Sequence, residues 1–245
     1  MRLALFLGNM YLDDLPDAAL AAQIKSLARG RALTAEGRAV GVAFTGDGKL
    51  APESWIVRFD FAEGQDERKL LADAFVATGA TAIWYFGGDA PTRTAVNELG
   101  LESFAHTAVY VRRAEPAFGA GSLVLRAAPD IDSQTRRLIS RHVEHYQSPR
   151  FAAALAGGEI VGYAILQELT PNWSEVSAFV FPAARRHGYG AEILAKSADA
   201  AEHTGRMVCA ALPYGDTSGR AVVERAGFRL ADYYFTARPK PKTTP

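Results

Sequence analysis

Short apolar runs recur along the second half of the chain at the spacing expected for strands of a sheet. SLVLRAA from Ser122, SEVSAFVF from Ser174 and RMVCAALP from Arg206 are rich in apolar and β-branched residues, so each predicts a strand. RFAAALAGGEIVGYAILQEL from Arg150 predicts two strands joined by a turn at Gly157–Gly158. RLADYYFTARP, close to the C-terminus, predicts a last strand.

Helical patterns separate these strands. PDIDSQTRRLISRHVEHYQ from Pro129 has apolar residues at helical spacing behind a capping aspartate. HGYGAEILAKSADAAEHTG from His187 predicts a second helix that closes at Gly205. GDTSGRAVVERAGF from Gly215 predicts a short third helix with Gly227 at its C-terminal cap. The resulting order of elements is β-α-β-β-β-α-β-α-β.

The two halves of the chain resemble each other in sequence. GDAPTRTAVNELGL from Gly88 aligns without a gap with GDTSGRAVVERAGF from Gly215, 127 residues later. SWIVRFDF from Ser54 aligns with SEVSAFVF from Ser174, 120 residues later. Because both matches occur in the same order, we interpret them as a duplicated fold. The alternative is a coincidence between two ordinary strand-to-helix units.

A linker is predicted between the halves. RRAEPAFGAGS from Arg112 contains alanines, glycines and a proline without an apolar period. We therefore expect a first domain over residues 1–115, a second over 122–238, and a flexible tail over 239–245.

Composition narrows the class of protein. The 245 residues are 49% hydrophobic and 22% charged with a formal net charge of zero, which is typical of a globular protein and disfavours nucleic acid as a partner. Cys209 is the only cysteine, so an intrachain disulfide and a cysteine-based zinc site are excluded and a cytoplasmic location is favoured. LALFLGNM from Leu3 is too short to span a bilayer, so we expect a buried strand, no signal peptide and no membrane partner.

The segment FPAARRHGYGAEIL has the chemistry of a phosphate-binding loop. The start of a helix leaves backbone N–H groups free, and Gly188 and Gly190 would let a phosphate approach them. Arg185 and Arg186 would add cationic donors. A tight turn that merely uses glycines is the alternative. The segment is neither a P-loop nor a dinucleotide fingerprint, because Gly-Lys-Ser/Thr and the third glycine are missing.

The same stretch resembles the signature of the GNAT acetyltransferase superfamily, Gln/Arg-x-x-Gly-x-Gly/Ala after a strand. Arg185, Gly188 and Gly190 match it position for position, and Pro182 stands where the family often has proline. The helix at Gly215 resembles the family's second motif through Glu224, Arg225, Gly227 and Phe228. The resemblance covers Ser122 to Arg238. It implies an α/β (α+β) fold, a mixed and mostly antiparallel twisted sheet flanked by helices, in two GNAT-like domains.

The resemblance implies acetyl-CoA as the acetyl donor. The loop would hold its pyrophosphate, the strand edge would pair with its pantetheine amides, and Asp216 would stand where the family often has asparagine. The implied cofactor-binding residues are Ala178, Phe179, Val180, Arg185, Arg186, His187, Gly188, Tyr189, Gly190, Ala191 and Asp216.

The first half departs from this pattern. Arg68 aligns with Gly188 and Leu70 with Gly190, so side chains would obstruct a phosphate. Glu63, Asp66 and Glu67 would also repel an anion at that helix start. We therefore expect a degenerate first domain that lacks the glycine loop.

The catalytic groups are less well specified. Val223 occupies the position where the family often has a tyrosine that protonates the leaving thiolate. Tyr214, Tyr233 or Tyr234 could replace it, with Tyr214 ranked first. Glu175 is the first candidate for the general base and Glu168 the second, although a solvated carboxylate explains Glu175 about as well.

Two functions remain open. One is an N-acetyltransferase in which a small-molecule or peptide amine attacks the thioester directly, in a monomer or homodimer. The other is a non-catalytic acyl-CoA-binding or partner-binding module. No metal is expected: His142 and His145 share a helix face, but a third ligand is not in view. The sequence does not specify the acceptor.

Overall fold

The computed structural model describes residues 29–35, 38–45, 54–61, 64–113, 116, 121, 123–127, 132–133, 137, 139, 150–170 and 172–240. The chain divides into two compact units. The first comprises Met1–Ala108 and Asp232–Pro245, and the second comprises Val109–Ala231. The strand expected at LALFLGNM lies outside the described residues, as does most of the helix expected from Pro129.

The described elements of the first unit are three strands, followed by helices that alternate with two more strands. In chain order they are β1 (Arg29–Ala35), β2 (Arg38–Thr45), β3 (Trp55–Phe61), α1 (Glu67–Thr78), β4 (Ala82–Phe86), α2 (Ala90–Glu98) and most of β5 (Glu102–Arg112).

The elements of the second unit agree with the strands and helices expected from the sequence. They are β6 (Val124–Ala127), β7 (Arg150–Ala156), β8 (Glu159–Thr170), β9 (Trp173–Val180), a 3-10 turn (Pro182–Ala184), α3 (Tyr189–Glu202), β10 (Met207–Pro213), α4 (Thr217–Arg225) and the start of β11 (Phe228–Arg238). Gly157 and Gly158 both have positive φ in the turn between β7 and β8, as a tight hairpin requires.

Each unit contains a mixed sheet flanked by helices, which confirms that part of the predicted fold. Strands β1, β2 and β3 are antiparallel, as are β6, β7, β8 and β9, whereas β3 pairs in parallel with β4 and β9 with β10. Helix α3 packs on β8 and β9. Its Ile193 is fully buried among Leu123, Ala154 and Ala164, so the apolar stripe of α3 faces the sheet.

The end of the last strand encoded by each half belongs to the other unit. Asp232–Arg238 of β11 belongs to the first unit, where Tyr234 pairs with Phe86 of β4. The end of β5 belongs to the second unit, where Arg112 forms an ion pair of 3.0 Å with Asp199 of α3. The domains predicted from the sequence, 1–115 and 122–238, would instead place all of β5 in the first domain and all of β11 in the second. Backbone hydrogen-bonding groups are the same in every strand, so the sequence pattern does not select between these partners.

The two parallel strand pairs have registers that can be compared with the sequence alignment of the halves. In the first unit Trp55 pairs with Ala82, and in the second Glu175 pairs with Cys209. These positions are related by the same two offsets, 120 and 127 residues, that align the two halves. Equivalent residues therefore take equivalent places in the two parallel strand pairs.

Candidate active site

A cleft of about 810 Å³ opens in the second unit where β9 and β10 separate. Their parallel pairing runs from Trp173–Met207 to Glu175–Cys209, and β9 continues to Val180 without β10 as its neighbour. The walls are the end of β9, the following loop with the start of α3, and the residues from β10 into α4. The lining residues are Val176, Ser177, Ala178, Phe179, Val180, Ala184, Arg185, Arg186, Gly188, Tyr189, Gly190, Ala191, Leu194, Ala210, Ala211, Leu212, Asp216, Ser218, Gly219, Ala221, Val222, Val223 and Arg225.

The loop before α3 leaves the helix start open to the cleft. Gly188 is the N-cap residue with φ of 83°, and no side chain caps this helix. Arg186 also has a positive φ, 70°, which is uncommon for a residue with a side chain. Uncapped N–H groups and the helix dipole together favour an anion at this point.

Gly190 allows α3 to approach α4 closely. A Cβ atom at this position would lie 3.3 Å from a methyl carbon of Val222 and 3.6 Å from one of Val180. Glycine thus keeps the first turn of α3 narrow where the two cleft walls meet. A larger side chain would displace one wall or enter the cleft.

Helix α4 forms the far wall and is capped by its own aspartate. The Asp216 carboxylate accepts a hydrogen bond of 2.8 Å from the Gly219 amide. Val223, which stands at the tyrosine position of the resembling family, lines the cleft but is only 2% exposed. A valine therefore stands on this wall at the position where the resembling family often has a tyrosine.

Glu175 lies at the last paired position before β9 and β10 diverge. It is half-buried. The residues paired with it on the neighbouring strands are Gln167 of β8 and Cys209 of β10. Desolvation raises the pKa of Glu175 to about 7. Burial, and then the nearby Glu175 carboxylate, raise the pKa of the Cys209 thiol, so the thiol stays protonated.

The structure brings together all but one of the cofactor-binding residues expected from the sequence. His187 is exposed and is not among the lining residues; its ring lies 5.7 Å from that of Tyr189. Neither of the two expected catalytic residues is among the lining residues: Glu175 precedes the lining residue Val176 at the fork, and Tyr214 is 60% exposed. Tyr233 and Tyr234 belong to the first unit.

Several lining residues have no role that was expected from the sequence. Ser218, Gly219, Ala221, Val222 and Arg225 come from α4, and their motif indicated a helix but not the side of the helix that meets the cleft. Arg225 carried the one available signal, because it is a cation within a family motif.

Comparison with known proteins relates part of the chain to one family. Residues 109–228 match the model of the Acetyltransferase (GNAT) family. This segment contains the strand fork, the glycine loop and both walls of the cleft. The match supports an acyltransferase as the enzyme class.

Solved structures extend the likeness in fold beyond residues 109–228. A GNAT-family acetyltransferase from Colwellia psychrerythraea has a TM-score of 0.72 at 8% identity, covering 98% of this chain and 95% of that chain. A GCN5-related N-acetyltransferase from Kribbella flavida has a TM-score of 0.58 at 15% identity, covering 94% and 98%. A tandem GNAT protein from the clavulanic acid biosynthesis pathway has a TM-score of 0.59 at 16% identity, covering 92% and 89%. No curated protein sequence matches the chain.

Two further features of the described residues bear on partners. No group of three or more histidine, cysteine, aspartate or glutamate side chains among them is arranged to hold a metal ion. None of the helices described in the structure is long and apolar enough to cross a membrane.

Proposed function

We propose that this chain is an N-acetyltransferase that takes an acetyl group from acetyl-CoA and transfers it to an amine. The observation that carries the proposal is the open start of α3, where Gly188 and Gly190 face a cleft at a strand fork within the segment that matches the GNAT family. Bound acetyl-CoA would supply the acetyl group as an activated thioester.

The residues of the cleft fit this donor. Gly188 leaves the first N–H groups of α3 accessible, and Arg185 and Arg186 line the same mouth, as a pyrophosphate requires. The edge of β9 that faces away from β8 is not paired by β10 beyond Glu175 within the described residues. Its backbone groups can therefore accept and donate hydrogen bonds to pantetheine amides.

Glu175 is proposed as the general base. It stands at the fork, and desolvation brings its pKa to about 7, close to that of an efficient base near neutral pH. The Glu175 carboxylate would accept a proton from the acceptor amine. The acceptor would be a small molecule or peptide, in keeping with the activity of the family.

Tyr214 is proposed as the first candidate for the proton donor to the leaving thiolate. It is 60% exposed and lies outside the lining residues, so it would have to turn toward the cleft to reach the sulfur. A tyrosine-to-phenylalanine series at Tyr214, Tyr233 and Tyr234 tests it. A general acid contributes about 100-fold or more to turnover, so a change within a few-fold for all three variants would exclude them.

We also propose that the first unit is a GNAT-like domain that has lost its donor site. The shared strand registers and the alignment of 92% of this chain with a tandem GNAT protein support two related domains. Arg68 and Leu70 at the aligned positions of Gly188 and Gly190 support the loss of the phosphate loop.

A non-catalytic acyl-CoA-binding or partner-binding module is the second candidate. Val223 at the family's tyrosine position and the exposed Tyr214 favour it. Calorimetric titration with acetyl-CoA tests donor binding, and release of free thiol with a panel of amines tests transfer. Binding with transfer is expected. Binding without transfer to amino sugars, polyamines, amino acids or peptide N-termini would favour the module, and absence of binding would contradict both.

A further inference from the structure

A third arginine faces the glycine loop from the opposite wall of the cleft. Arg225 is the last residue of α4 and lines the cleft. A Cβ atom placed on Gly188 would lie 3.8 Å from one terminal guanidinium nitrogen of Arg225 and 4.0 Å from both Cζ and the other terminal nitrogen. The flat end of the Arg225 side chain therefore lies against the residue at which α3 begins.

This position places a cation where the donor phosphates would enter. We propose that Arg225 binds the pyrophosphate of the CoA donor, as a binding residue in addition to the glycine loop. The proposal rests on the proposed function, because it names a further contact in the same site. A guanidinium presents several N–H donors in one plane, and this geometry matches two oxygens of a phosphate.

The two loop arginines leave room for this role. The Arg185 side chain donates from Nε to the Val180 carbonyl over 3.3 Å, so part of its hydrogen-bonding capacity is used within the loop. Arg186 precedes Gly188 on the same segment. Arg225 is the cation that would approach from α4, so a pyrophosphate at the start of α3 would be contacted from two walls.

The first unit offers a comparison at the same two positions. Glu98 aligns with Arg225 at the offset of 127, and Arg68 aligns with Gly188 at the offset of 120. Both side chains are exposed. Where the glycine is replaced, the arginine of the opposite helix is replaced by an acid. The favourable cation and the open helix start thus occur together in one unit and are absent together from the other.

Titration calorimetry of the full chain with CoA and with dephospho-CoA tests the assignment. Dephospho-CoA keeps the pyrophosphate but lacks the ribose 3′-phosphate. We expect Arg225→Gln to weaken both ligands by a similar factor of about ten to a hundred, the usual range for a hydrogen bond to a charged group. Arg225→Lys should lower the affinity less than Arg225→Gln. Arg225→Glu, which introduces the residue found at Glu98, should lower the affinity more than Arg225→Gln.

Arg220→Gln is the matched control. Arg220 lies on the same helix, pairs with Glu224 over 2.8 Å and is not among the lining residues, so its loss should leave both affinities unchanged. Thermal unfolding of each variant checks that α4 stays folded. If Arg225→Gln unfolds, the affinities of Arg225→Lys for both ligands test the assignment, because lysine keeps the charge but loses the planar guanidinium. Affinities equal to those of the unmodified protein would then contradict a guanidinium contact.

Three outcomes would overturn the assignment. Unchanged affinity in Arg225→Gln would show that Arg225 does not bind the donor. A lower affinity for CoA with an unchanged affinity for dephospho-CoA would show that Arg225 contacts the 3′-phosphate instead of the pyrophosphate. An equal loss in Arg220→Gln would indicate a general effect of charge on α4. Failure of the unmodified protein to bind CoA would contradict the proposed function itself, whereas the first two outcomes would leave it intact.

Discussion

The two units begin their equivalent helices in opposite ways. Helix α1 of the first unit is capped by Asp66, whose carboxylate accepts a hydrogen bond of 2.9 Å from the Lys69 amide, and Glu67 follows in the first turn. Helix α3 of the second unit begins at Gly188 without a side-chain cap. The N-terminus of α1 is thus capped by a carboxylate of its own chain segment, whereas the N-terminus of α3 is open to an anionic ligand.

This difference predicts that the helix start of the second unit accepts an anion more readily than that of the first. A capping aspartate satisfies an N–H group and offsets the helix dipole, which stabilises the helix without a ligand. A glycine cap gives up that stabilisation and keeps the N–H groups accessible. The substitution is local, because the shared registers keep the surrounding strands equivalent. We therefore expect the two units to differ in binding far more than in fold.

The largest effect is expected at the strand fork, where Glu175 of the second unit aligns with Trp55 of the first. Glu175→Gln should reduce turnover by about 100- to 10,000-fold, because a general base contributes in that range. Turnover of the unmodified protein should rise with pH through about 7, as the carboxyl loses its proton, and this rise should be absent in the variant.

Glu168→Gln is the control for the base. Glu168 pairs with Arg150 over 3.1 Å and with Arg206 over 3.0 Å, and it does not line the cleft. Its pH–rate profile should match that of the unmodified protein. If Glu168→Gln removes the rise near pH 7 and Glu175→Gln keeps it, the base has been assigned to the wrong carboxylate.

The next effect concerns the glycine loop. Gly188→Arg reproduces Arg68 of the first unit and should weaken acetyl-CoA by about 100-fold or more, because the side chain would occupy the path of the phosphate. Gly205→Arg is the matched control, since Gly205 has a similar φ of 77° at the other end of α3 and open space around it. Calorimetry should show normal binding for Gly205→Arg, and equal loss in both variants would indicate backbone strain instead.

A smaller effect is expected when an aspartate is introduced in the second unit at the position that aligns with Asp66, the helix cap of the first unit. Arg186 aligns with Asp66, and its φ of 70° is one that aspartate and asparagine adopt more readily than arginine. Arg186→Asp should weaken acetyl-CoA by about ten- to a hundredfold, since it removes one cation and adds an anion. Arg186→Asn should lose less. Normal affinity in Arg186→Asp would show that this side chain does not contact the donor.

The smallest effect distinguishes the two units by their response to pH. Burial lowers the pKa of His106 in the first unit, and its ring packs 5.1 Å from that of Trp84. Its contribution to stability is present above pH 6.5, the ordinary pKa, and is lost as the pH falls through the lower folded-state pKa. His106→Phe keeps an aromatic ring and should reduce the acid-induced fall in Tm by about a few degrees.

Glu175 should have the opposite effect on stability. Its folded-state pKa of about 7 lies above the ordinary 4.5, so its contribution is fully present below pH 4.5 and is lost as the pH rises through about 7. Glu175→Gln should therefore flatten the change in Tm between these two pH values, and the acid-induced fall should be unaffected. An unchanged Tm profile in either variant would contradict the corresponding shift in pKa.

Much of the second unit could be predicted from local pattern. The glycine signature at Gly188 and Gly190, the strand before it and the helix after it are defined by residues that are close in sequence, so most of the residues that line the cleft at this loop could be predicted. His187 is the exception: it lies within the signature but is exposed and is not among the lining residues, because side chains in a loop follow no fixed period. Arg225 and Tyr214 show the same limit, because the side of α4 that meets the cleft depends on packing.

The order of elements in the second unit could be predicted from the sequence, as could the presence of Arg68 and Leu70 where the second half has Gly188 and Gly190. These features follow from side-chain chemistry and spacing along one segment. Three other features depend on tertiary packing: Asp232–Arg238 of β11 belongs to the first unit, pairing of β9 with β10 stops at Glu175–Cys209, and the Arg225 guanidinium lies beside Gly188. Strand pairing and helix contacts depend on the packing of segments that are far apart in the chain. Because the backbone of one strand can pair with any other strand, local sequence does not specify the partner.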